Sequence, residues 1–344
     1  MGKINRLYLP LERRFHLGTN RINFKRGFLA KNVDKFDYRG GITLKYAIGI
    51  DIGGTTIASG IVNQQGDIIQ QEIVNSDPSD REKMFEKVVL CVEKLMNHSS
   101  IPLSEIYGIG AGVPGKIDRD NGIAVFQNNL PWSNFPFVKR IQDHFKIDKV
   151  TMDNDVYMAA YAEWKAAQLT DELFVYMTIS TGISASIINA GQFIRGAGFA
   201  GEVGLVPVYA PYEESKVERL EKTAAGPALE KHANQRMKTN AMTGKELFQA
   251  FYNKDSNAKE LIDDVTSSLV QGIYMINSLL DPHKIVFGGS VITQNPVLLE
   301  LIKDKLDSHL IDEQKHILDH MAISQLGNGQ GIIGAGLSVL DAFE

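Results

Sequence analysis

Runs of β-branched residues separated by glycine-containing turns begin the patterned part of the chain, just after residue 45. Lys45–Asp51, Thr56–Asn63 and Ile68–Val74 are three such runs, and they predict an antiparallel meander. Over Asp80–His98 the apolar positions recur at steps of three and four residues, which predicts an amphipathic helix. Ile106–Gly112 is short and apolar again, and it predicts a buried strand.

Strand and helix patterns alternate through the rest of the chain. They predict helices over Val138–Phe145, Asp155–Ala167, Lys216–Lys231, Gly244–Phe251, Ser256–Leu279 and Asn295–His309, and strands over Lys149–Met152 and Lys284–Ser290. Leu173–Gly196 predicts three more strands, joined by a Thr-Gly turn and an Asn-Gly type of turn. This order of elements predicts an α/β protein.

Two glycine turns of the same kind lie near the beginning of two strand-rich segments, where each connects the first two strands. The first is Asp51-Ile52-Gly53-Gly54-Thr55-Thr56, and the second is Ser180-Thr181-Gly182. Each turn joins two strands, and helices follow in both halves, so the pattern indicates an internal repeat. Two such halves facing each other would bring both turns to one cleft.

Turns of this composition can bind phosphate. Gly53, Gly54, Thr55 and Thr56 can present several backbone N–H groups and hydroxyls together, and Asp51 can hold a hydrated Mg²⁺ ion. No GxxxxGK[ST] occurs here and a strand follows the turn, which argues against a Walker A loop and a dinucleotide fingerprint. The alternative is a hairpin turn whose glycines serve only to adopt positive φ. The second turn favours phosphate binding, because two turns can clamp one polyphosphate.

Composition and charge narrow the class of protein. With 344 residues, 44% hydrophobic and 22% charged, the chain has a globular composition and the length of two domains. The net charge of −5 argues against nucleic acid as the main partner. No apolar run has the length of a membrane span, and no signal peptide is recognised. Cys91 is the single cysteine, which excludes a disulfide framework and a cysteine-rich zinc site and fits a reducing cytoplasm.

The first 45 residues differ in charge from the rest of the chain. They carry eleven Lys and Arg against three Asp and Glu, so the remainder carries about −13. Residues 1–43 show no hydrophobic period, and we expect this basic extension to be poorly ordered. Two alternatives are a basic arm for nucleic acid and a mis-assigned start, in which Arg39-Gly40-Gly41 reflects a ribosome-binding purine run and Leu44 an initiation codon. N-terminal peptide mass spectrometry of the natively expressed protein distinguishes them.

Several motifs, taken in order, resemble the ROK family of sugar kinases and repressors within the actin-like ATPase superfamily. "IDIGGTTIASGIV" is similar to the first phosphate motif of the family, "GIGAGVPGKIDRDNGI" to its G-x-G-x-P-G signature, and "NNLPWSNFPF" to its sugar loop. "DNDVYMAAYAEW" resembles the motif of the catalytic helix, and "GAGFAGEVGL" and "LEKTAAGPALEK" resemble two further segments of the sugar site. "DPHKIVFGGSV" and "GIIGAGLSVL" resemble the nucleotide-side glycines and the closing helix. These matches span about residues 44–340.

The resemblance implies a fold and an activity. The implied fold is the two-domain actin-like (ribonuclease H-like) α/β fold with a central cleft, made of a smaller domain (44–153) and a larger one (154–330). A closing helix over residues 331–344 is expected to pack on the smaller domain. The implied reaction is ATP-dependent phosphorylation of the 6-hydroxyl of glucose, N-acetylmannosamine or a β-glucoside. We expect ATP and Mg²⁺ as cofactors, and a cytoplasmic homodimer.

Asp155 is the candidate general base. It begins a predicted helix, whose dipole helps to keep a carboxylate ionised, and it aligns with the catalytic Asp of the family. The alternative is that Asp155 only caps this helix. By position in the motifs, the implied sugar contacts are Gly115, Asn129, Asn154, Glu202 and Glu221. The implied nucleotide contacts are Asp51, Gly53, Gly54, Thr55, Thr56, Ser180, Thr181, Gly182, Gly288 and Gly289.

The sequence departs from the family pattern at the usual zinc site. Leu205 stands where most members have a zinc-binding His, and "PVYAPYEESKVER" replaces a cysteine-rich loop, so we expect no zinc. The second turn has fewer glycines than usual, which bears on the strength of nucleotide binding. His316 and His320 are four residues apart, but no third ligand is near in the sequence, and we expect a solvated helix face.

The sequence is compatible with two other functions. Some members of the family are sugar-sensing repressors with an N-terminal helix-turn-helix, and residues 1–45 lack the apolar pattern of two helices. A non-catalytic sugar-binding regulator with a decayed ATP site is the other. Formation of ADP on mixing the protein with ATP and sugars distinguishes a kinase from both.

Overall fold

The computed structural model describes residues 45–127, 129–210, 212–213 and 215–343. The strands are β1 (Tyr46–Ile52), β2 (Thr56–Asn63), β3 (Ile68–Asn75), β4 (Ile106–Val113), β5 (Lys116–Asp118), β6 (Ile123–Phe126), β7 (Ser133–Phe135), β8 (Val150–Asn154), β9 (Phe174–Ile179), β10 (Ile183–Asn189), β11 (Gln192–Phe193), β12 (Pro207–Tyr209), β13 (Val217–Arg219), β14 (Lys284–Gly288) and β15 (Met321–Ile323). The expectations for residues 1–43 and for Leu44 lie outside the described residues.

Helices cover much of the remaining chain. They are α1 (Arg81–His98), α2 (Phe137–Phe145), α3 (Asp155–Ala166), α4 (Leu220–Ala224), α5 (Gly226–Met237), α6 (Gly244–Tyr252), α7 (Ser256–Leu280), α8 (Ser290–Thr293), α9 (Val297–Asp307), α10 (His316–His320) and α11 (Gln330–Ala342). Most predicted elements agree with these bounds to within two residues. No helix in the described part of the chain is long and apolar enough to cross a membrane.

Two five-stranded sheets share one topology. The strand order is β3-β2-β1-β4-β8 in the first sheet and β11-β10-β9-β14-β15 in the second. In each sheet the three strands that come first in sequence form antiparallel hairpins, and the last two run parallel to the first strand. The predicted α/β class and the internal repeat are therefore confirmed.

The predicted helix over Lys216–Lys231 is wrong. This segment contains a short strand, β13, and two helices that are separated at Ala225, whose backbone is extended. Pro227 lies in the first turn of α5 and has no backbone N–H, which a helix that continued from α4 would need for a hydrogen bond. The N–H of Gly226 donates instead to the carbonyl oxygen of Ser180 at 2.8 Å. The break therefore joins the start of α5 to the second glycine turn.

The closing helix α11 lies directly on the first sheet. A Cβ at Gly49 of β1 would stand 1.9 Å from the carbonyl oxygen of Ile332, and one at Gly110 of β4 would stand 1.8 Å from that of Ala335. Glycine is therefore required at both positions for the helix backbone to approach the strands. The expected contact of the closing helix is present, whereas the domain boundary between residues 153 and 154 stays a prediction.

Candidate active site

A single large cleft, with a volume of about 1760 Å³, contains most of the predicted site residues. The residues that line it include Asp51, Thr56, Gly115, Asn129, Asn154, Asp155, Ser180, Thr181, Gly182, Glu202, Glu221 and Gly289. Four predicted positions, Gly53, Gly54, Thr55 and Gly288, are not part of its lining. The two glycine turns thus reach one cleft, through Thr56 on one side and Ser180 to Gly182 on the other.

The first glycine turn connects β1 to β2. The N–H of Gly53 donates to the carbonyl oxygen of Thr56 at 2.9 Å, and Ser76 Oγ donates to the carbonyl oxygen of Gly53 at 2.6 Å. A Cβ at Gly54 would stand 3.3 Å from Asn129 Nδ2. Neither glycine has positive φ, so the alternative that they serve only this backbone conformation is wrong. Gly54 instead lets the turn approach the loop that carries Asn129.

The second glycine turn is held by an internal hydrogen bond and by residues 288–290, which lead into α8. The N–H of Ser180 donates to the carbonyl oxygen of Gly182 at 2.9 Å, and its Oγ lies 3.2 Å from Ser290 Oγ at the start of α8. Gly289 has φ +85°, and a Cβ there would stand 2.4 Å from the carbonyl oxygen of Ile179. A Cβ at Gly288 would stand 2.0 Å from Tyr176 Oη. Gly288 is therefore required for packing, and Gly289 for the approach of α8 to the turn.

Asp155 is the first residue of α3, and its neighbour Asn154 caps that helix. Asn154 Oδ1 accepts from the N–H of Val156 at 2.9 Å, and Asn154 Nδ2 donates to the carbonyl oxygen of Gly115 at 3.1 Å. Asp155 Oδ1 shares the same N–H at 3.0 Å. Because Asn154 is the N-cap residue, the carboxylate of Asp155 is not needed to begin the helix.

Four carboxylates, those of Asp51, Asp155, Glu202 and Glu221, line the cleft. Burial raises the pKa of Asp155 from 3.8 to about 6. Burial, and then repulsion from Asp155, raises the pKa of Asp51 to about 7. Partial burial also raises the pKa of Glu202, with further repulsion from Glu221 and Asp155. The negative charge of Asp155 therefore contributes to the raised pKa of both Asp51 and Glu202.

Asp51 is the penultimate residue of β1 and lies against the first turn of α11. A Cβ at Gly331 would stand 2.6 and 2.9 Å from the two carboxylate oxygens of Asp51. Within the described residues, neither Asp51 nor Asp155 forms an ion pair with a lysine or arginine. A carboxylate without a cationic partner, such as that of Asp51, supplies hard oxygen atoms, the type of ligand that Mg²⁺ prefers.

The wall of the cleft that carries Asn129 is supported by buried aromatic packing. Trp132 is buried, stacks on Phe135 with ring centroids 4.9 Å apart, and donates from Nε1 to the carbonyl oxygen of Arg81 at 3.0 Å. This packing fixes the loop that carries Asn129. On the opposite wall, Glu221 Oε2 would lie 3.7 Å from a Cβ at Gly182. Glu221 therefore lies next to the second glycine turn.

The expected zinc position has an apolar side chain. Leu205 lines the cleft and is 43% exposed. In the described part of the chain, no three His, Cys, Asp or Glu side chains are grouped so that they could hold a metal ion. His316, the first residue of the short helix α10, donates from Nδ1 to the carbonyl oxygen of Glu313 at 3.1 Å. His316 and His320 are thus not joined by a third ligand in the described residues.

Sequence reasoning missed three features beside the cleft. One is Gly331 against Asp51, and another is an ion pair between Asp153 and Arg195. The third is a buried cluster in which Glu163 accepts from Ser324 Oγ and from Gln330 Nε2, while Tyr176 Oη donates to Gln330 Oε1 at 3.0 Å. Each joins residues more than forty positions apart in the chain. Of these residues, only Gly331 could have been noticed in the sequence, because glycine is unusual in an apolar helix such as the one predicted from residue 331 onward.

Comparison with known proteins gives one consistent family. A sequence model described as the ROK family matches residues 47–342. A glucokinase from Halalkalibacterium halodurans is 27% identical over 312 residues, which cover 85% of this chain and 94% of that protein. A xylose repressor from Caldicellulosiruptor bescii is 34% identical over 164 residues, covering 46% of this chain and 40% of the repressor. A crystal structure of a ROK hexokinase from Thermus thermophilus covers 87% of this chain and 99% of its own, at 26% identity and a TM-score of 0.73.

Proposed function

The chain belongs to the ROK family, whose sequence model matches most of its length, and on that premise we propose that it is an ATP-dependent sugar kinase. The proposed reaction transfers the γ-phosphoryl group of ATP to the 6-hydroxyl of a hexose or hexose derivative. The observation that carries the proposal is that Asp155, at the start of α3, lines one cleft together with residues of both glycine turns and with the carboxylates of Asp51, Glu202 and Glu221. The similar glucokinase and hexokinase support it.

The acceptor side of the reaction needs a base within reach of the sugar hydroxyl. In the proposal, Asp155 accepts the proton of the 6-hydroxyl as its oxygen attacks the γ-phosphorus in line with the leaving ADP oxygen. A carboxylate with a pKa of about 6 is mostly ionised at neutral pH. It is also more basic than an ordinary Asp, which favours proton transfer.

The donor side needs positive charge. Asp51, Asp155, Glu202 and Glu221 make the cleft acidic, so a free polyphosphate would be repelled by its walls. Asp51 is the residue that we propose to hold Mg²⁺, which would neutralise phosphate charge when it is bound with ATP. The backbone N–H groups and hydroxyls of the two glycine turns would contact the phosphate oxygens.

The sugar ring needs paired donors and acceptors for its other hydroxyls. We propose that Asn129, Asn154, Glu202 and Glu221 supply them, with Gly115 next to Asn154. Glu202 and Glu221 belong to the wall formed by the second half of the chain, whereas Asn129 follows β6 of the first half. A sugar bound between them would contact both walls. Glucose, N-acetylmannosamine and β-glucosides are the candidate substrates.

A screen of ADP release tests the proposal. The purified protein is mixed with MgATP and, separately, with glucose, N-acetylmannosamine, N-acetylglucosamine, mannose, fructose or cellobiose. We expect at least one sugar to raise ADP release well above the rate without sugar. If a sugar binds by calorimetry but none raises ADP release, the kinase proposal fails. That result would favour a sugar-sensing repressor or regulator, the class of the similar xylose repressor.

A further inference from the structure

Arg195 and Asp153 form a two-pronged ion pair next to the start of α3. Arg195 Nη1 donates to Asp153 Oδ1 at 3.1 Å, and Nη2 donates to Oδ2 at 2.6 Å. The side chains are only 24% and 10% exposed, respectively. Paired charge-assisted bonds of this kind fix the relative orientation of the two groups. A second cation, Arg119, approaches the same carboxylate only to 3.9 Å and is 46% exposed.

Two aromatic rings hold the guanidinium of Arg195 in this orientation. Its Cζ lies 4.6 Å from the ring centroid of Tyr157 and 4.7 Å from that of Phe193. The two rings pack edge to face, with centroids 5.0 Å apart. A planar guanidinium can stack on such rings while it keeps both hydrogen bonds, whereas a lysine ammonium is a point charge.

The pair connects the proposed base to the segment that carries a proposed sugar ligand. Asp153 is two residues before Asp155, and its Oδ1 accepts from the N–H of Asn154 at 2.8 Å. Arg195 begins the segment 195–202, which we name the glycine loop and which ends at Glu202. Tyr157 of α3 forms a second link, because its Oη donates to the carbonyl oxygen of Ala200 at 3.3 Å.

The glycine loop has little structure of its own to fix its path. Gly196, Gly198 and Gly201 have φ of +54°, +104° and +94°, and none of residues 195–202 belongs to a helix or strand. One end is anchored to β10, where the N–H of Ala185 donates to the carbonyl oxygen of Gly201 at 2.7 Å. The other end follows β11, and the N–H of Ile194 donates to the carbonyl oxygen of Ile187 in β10 at 2.8 Å. Both ends are thus held to β10, and the pair with Asp153 and the bond from Tyr157 hold the loop between them to α3.

We propose that Arg195 is a positioning residue, whose pairing with Asp153 sets the position of Glu202 relative to Asp155. Arg195 itself need not touch the substrate. Sugar affinity depends on the pair because Glu202 is a proposed sugar ligand, and turnover depends on it because the bound 6-hydroxyl must lie in reach of Asp155. The inference rests on the proposed function in its assignment of Glu202 and Asp155.

Arg195→Met tests the pair, because it keeps the apolar stem and removes the guanidinium. We expect the Kd for the sugar, measured by calorimetry, to rise at least about tenfold, because a displaced Glu202 loses its charge-assisted hydrogen bond to the sugar. The KM for sugar should rise in parallel and kcat should fall at least about threefold. The Kd for a non-hydrolysable ATP analogue should stay within about twofold of the wild-type value. The contacts of Arg195 described above are with Asp153, Tyr157 and Phe193, and none of these residues belongs to the two glycine turns.

Arg236→Met is the matched control. Arg236 Nη2 donates to Asp264 Oδ2 at 2.8 Å, with side chains 25% and 28% exposed, between α5 and α7 away from the cleft. Both variants are expected to lower Tm, because each removes a partly buried ion pair. Only Arg195→Met is expected to weaken sugar binding. Equal sugar Kd values in both variants would overturn the proposal and make Arg195 a structural support only.

Arg195→Lys keeps the test decisive if Arg195→Met does not fold. Lysine retains the positive charge near Asp153 but cannot form two parallel bonds and stack on both rings. We expect a sugar Kd at least about threefold above that of the wild type, and a value within the error of wild type would contradict the proposal. A failure of the kinase proposal can be distinguished from a failure of this inference. The first would appear as absent ADP release by the wild-type protein, whereas the second is measured by the sugar Kd values of the variants, which do not depend on turnover.

Discussion

Gly331 lies against the carboxylate of Asp51, such that a Cβ at residue 331 would stand 2.5 Å from Asp51 Cγ. Alanine normally stabilises a helix relative to glycine by about 1 kcal/mol. Here the added methyl must displace Asp51 or the first turn of α11, because no Cβ tolerates so short a contact. The closing helix thus determines where the proposed Mg²⁺ ligand can lie.

Gly331→Ala is therefore expected to impair Mg²⁺-dependent turnover. We expect kcat to fall at least about tenfold and the Mg²⁺ concentration for half-maximal rate to rise, because the carboxylate is displaced from the phosphates. Gly244→Ala, in the first turn of α6, is the control, since a Cβ there meets nothing within 4 Å. Steady-state rates over a Mg²⁺ titration measure both variants. A Gly331→Ala protein with wild-type rates at every Mg²⁺ concentration would contradict the role of Asp51.

The raised pKa of Asp155 predicts a cost in stability at neutral pH. Its pKa is about 6 in the folded protein and near 3.8 otherwise. The folded state therefore binds the proton more tightly, and the free energy of unfolding decreases as pH rises from about 4 to about 6 and stays lower above this range. Asp155→Asn removes the buried charge, so we expect its Tm at pH 7.5 to exceed that of the wild type by at least about 2 °C.

The pH dependence separates this effect from a change in packing. At pH 4 the wild-type carboxyl is protonated in the folded state, and the difference in Tm should largely disappear. Asp304→Asn, on an exposed position of α9, is the control and should not change Tm at either pH. Scanning calorimetry at the two pH values measures the difference. A Tm of Asp155→Asn below that of the wild type at pH 7.5 would show that the carboxylate stabilises the fold.

Glu202 and Glu221 are expected to bind ring hydroxyls away from the reacting position. A charge-assisted hydrogen bond contributes roughly 1.5–3 kcal/mol, and about 1.4 kcal/mol is a factor of ten in affinity. Glu202→Gln and Glu221→Gln should each weaken sugar binding at least about tenfold. Binding of a non-hydrolysable ATP analogue should change little. Calorimetric titration with the sugar and with the ATP analogue measures both effects. Unchanged sugar affinity in both variants would show that neither glutamate binds the sugar.

Zinc should be absent from the purified protein. Leu205 lines the cleft at the position expected for a zinc-binding His, and the chain has one cysteine, Cys91, which is buried. Elemental analysis should find far less than one zinc per chain, and a chelator should leave Tm unchanged. One zinc per chain would contradict the interpretation that the cysteine-free segment 207–219 does not bind zinc.

Most helices and strands and both glycine turns could be predicted from the sequence, because the hydrophobic period and the turn residues that determine them lie within the segment itself. Asp80–His98 shows this, since its apolar steps and the N-cap Asp80 agree with α1. The segment after Lys216 was mispredicted because its helix propensity continues through Ala225, where a contact of Gly226 with Ser180 determines the break. The pairing of Arg195 with Asp153, and of Gly331 with Asp51, depends on tertiary packing of distant segments. Neither leaves a periodic signal.

Turnover by Asp155→Asn tests the central claim most directly. Asparagine preserves the shape of the side chain but cannot accept the proton, and general-base assistance contributes about 10²–10⁴-fold to the rate. The measurement is sugar-dependent ADP release by wild type and Asp155→Asn, each with the best substrate of the screen and with its 6-deoxy analogue, alongside the sugar Kd. We predict that the wild type releases ADP with the sugar and not with the 6-deoxy analogue, and that Asp155→Asn binds sugar normally but loses at least about 99% of kcat. A variant that keeps more than about a third of wild-type kcat would contradict the assignment of Asp155 as the base.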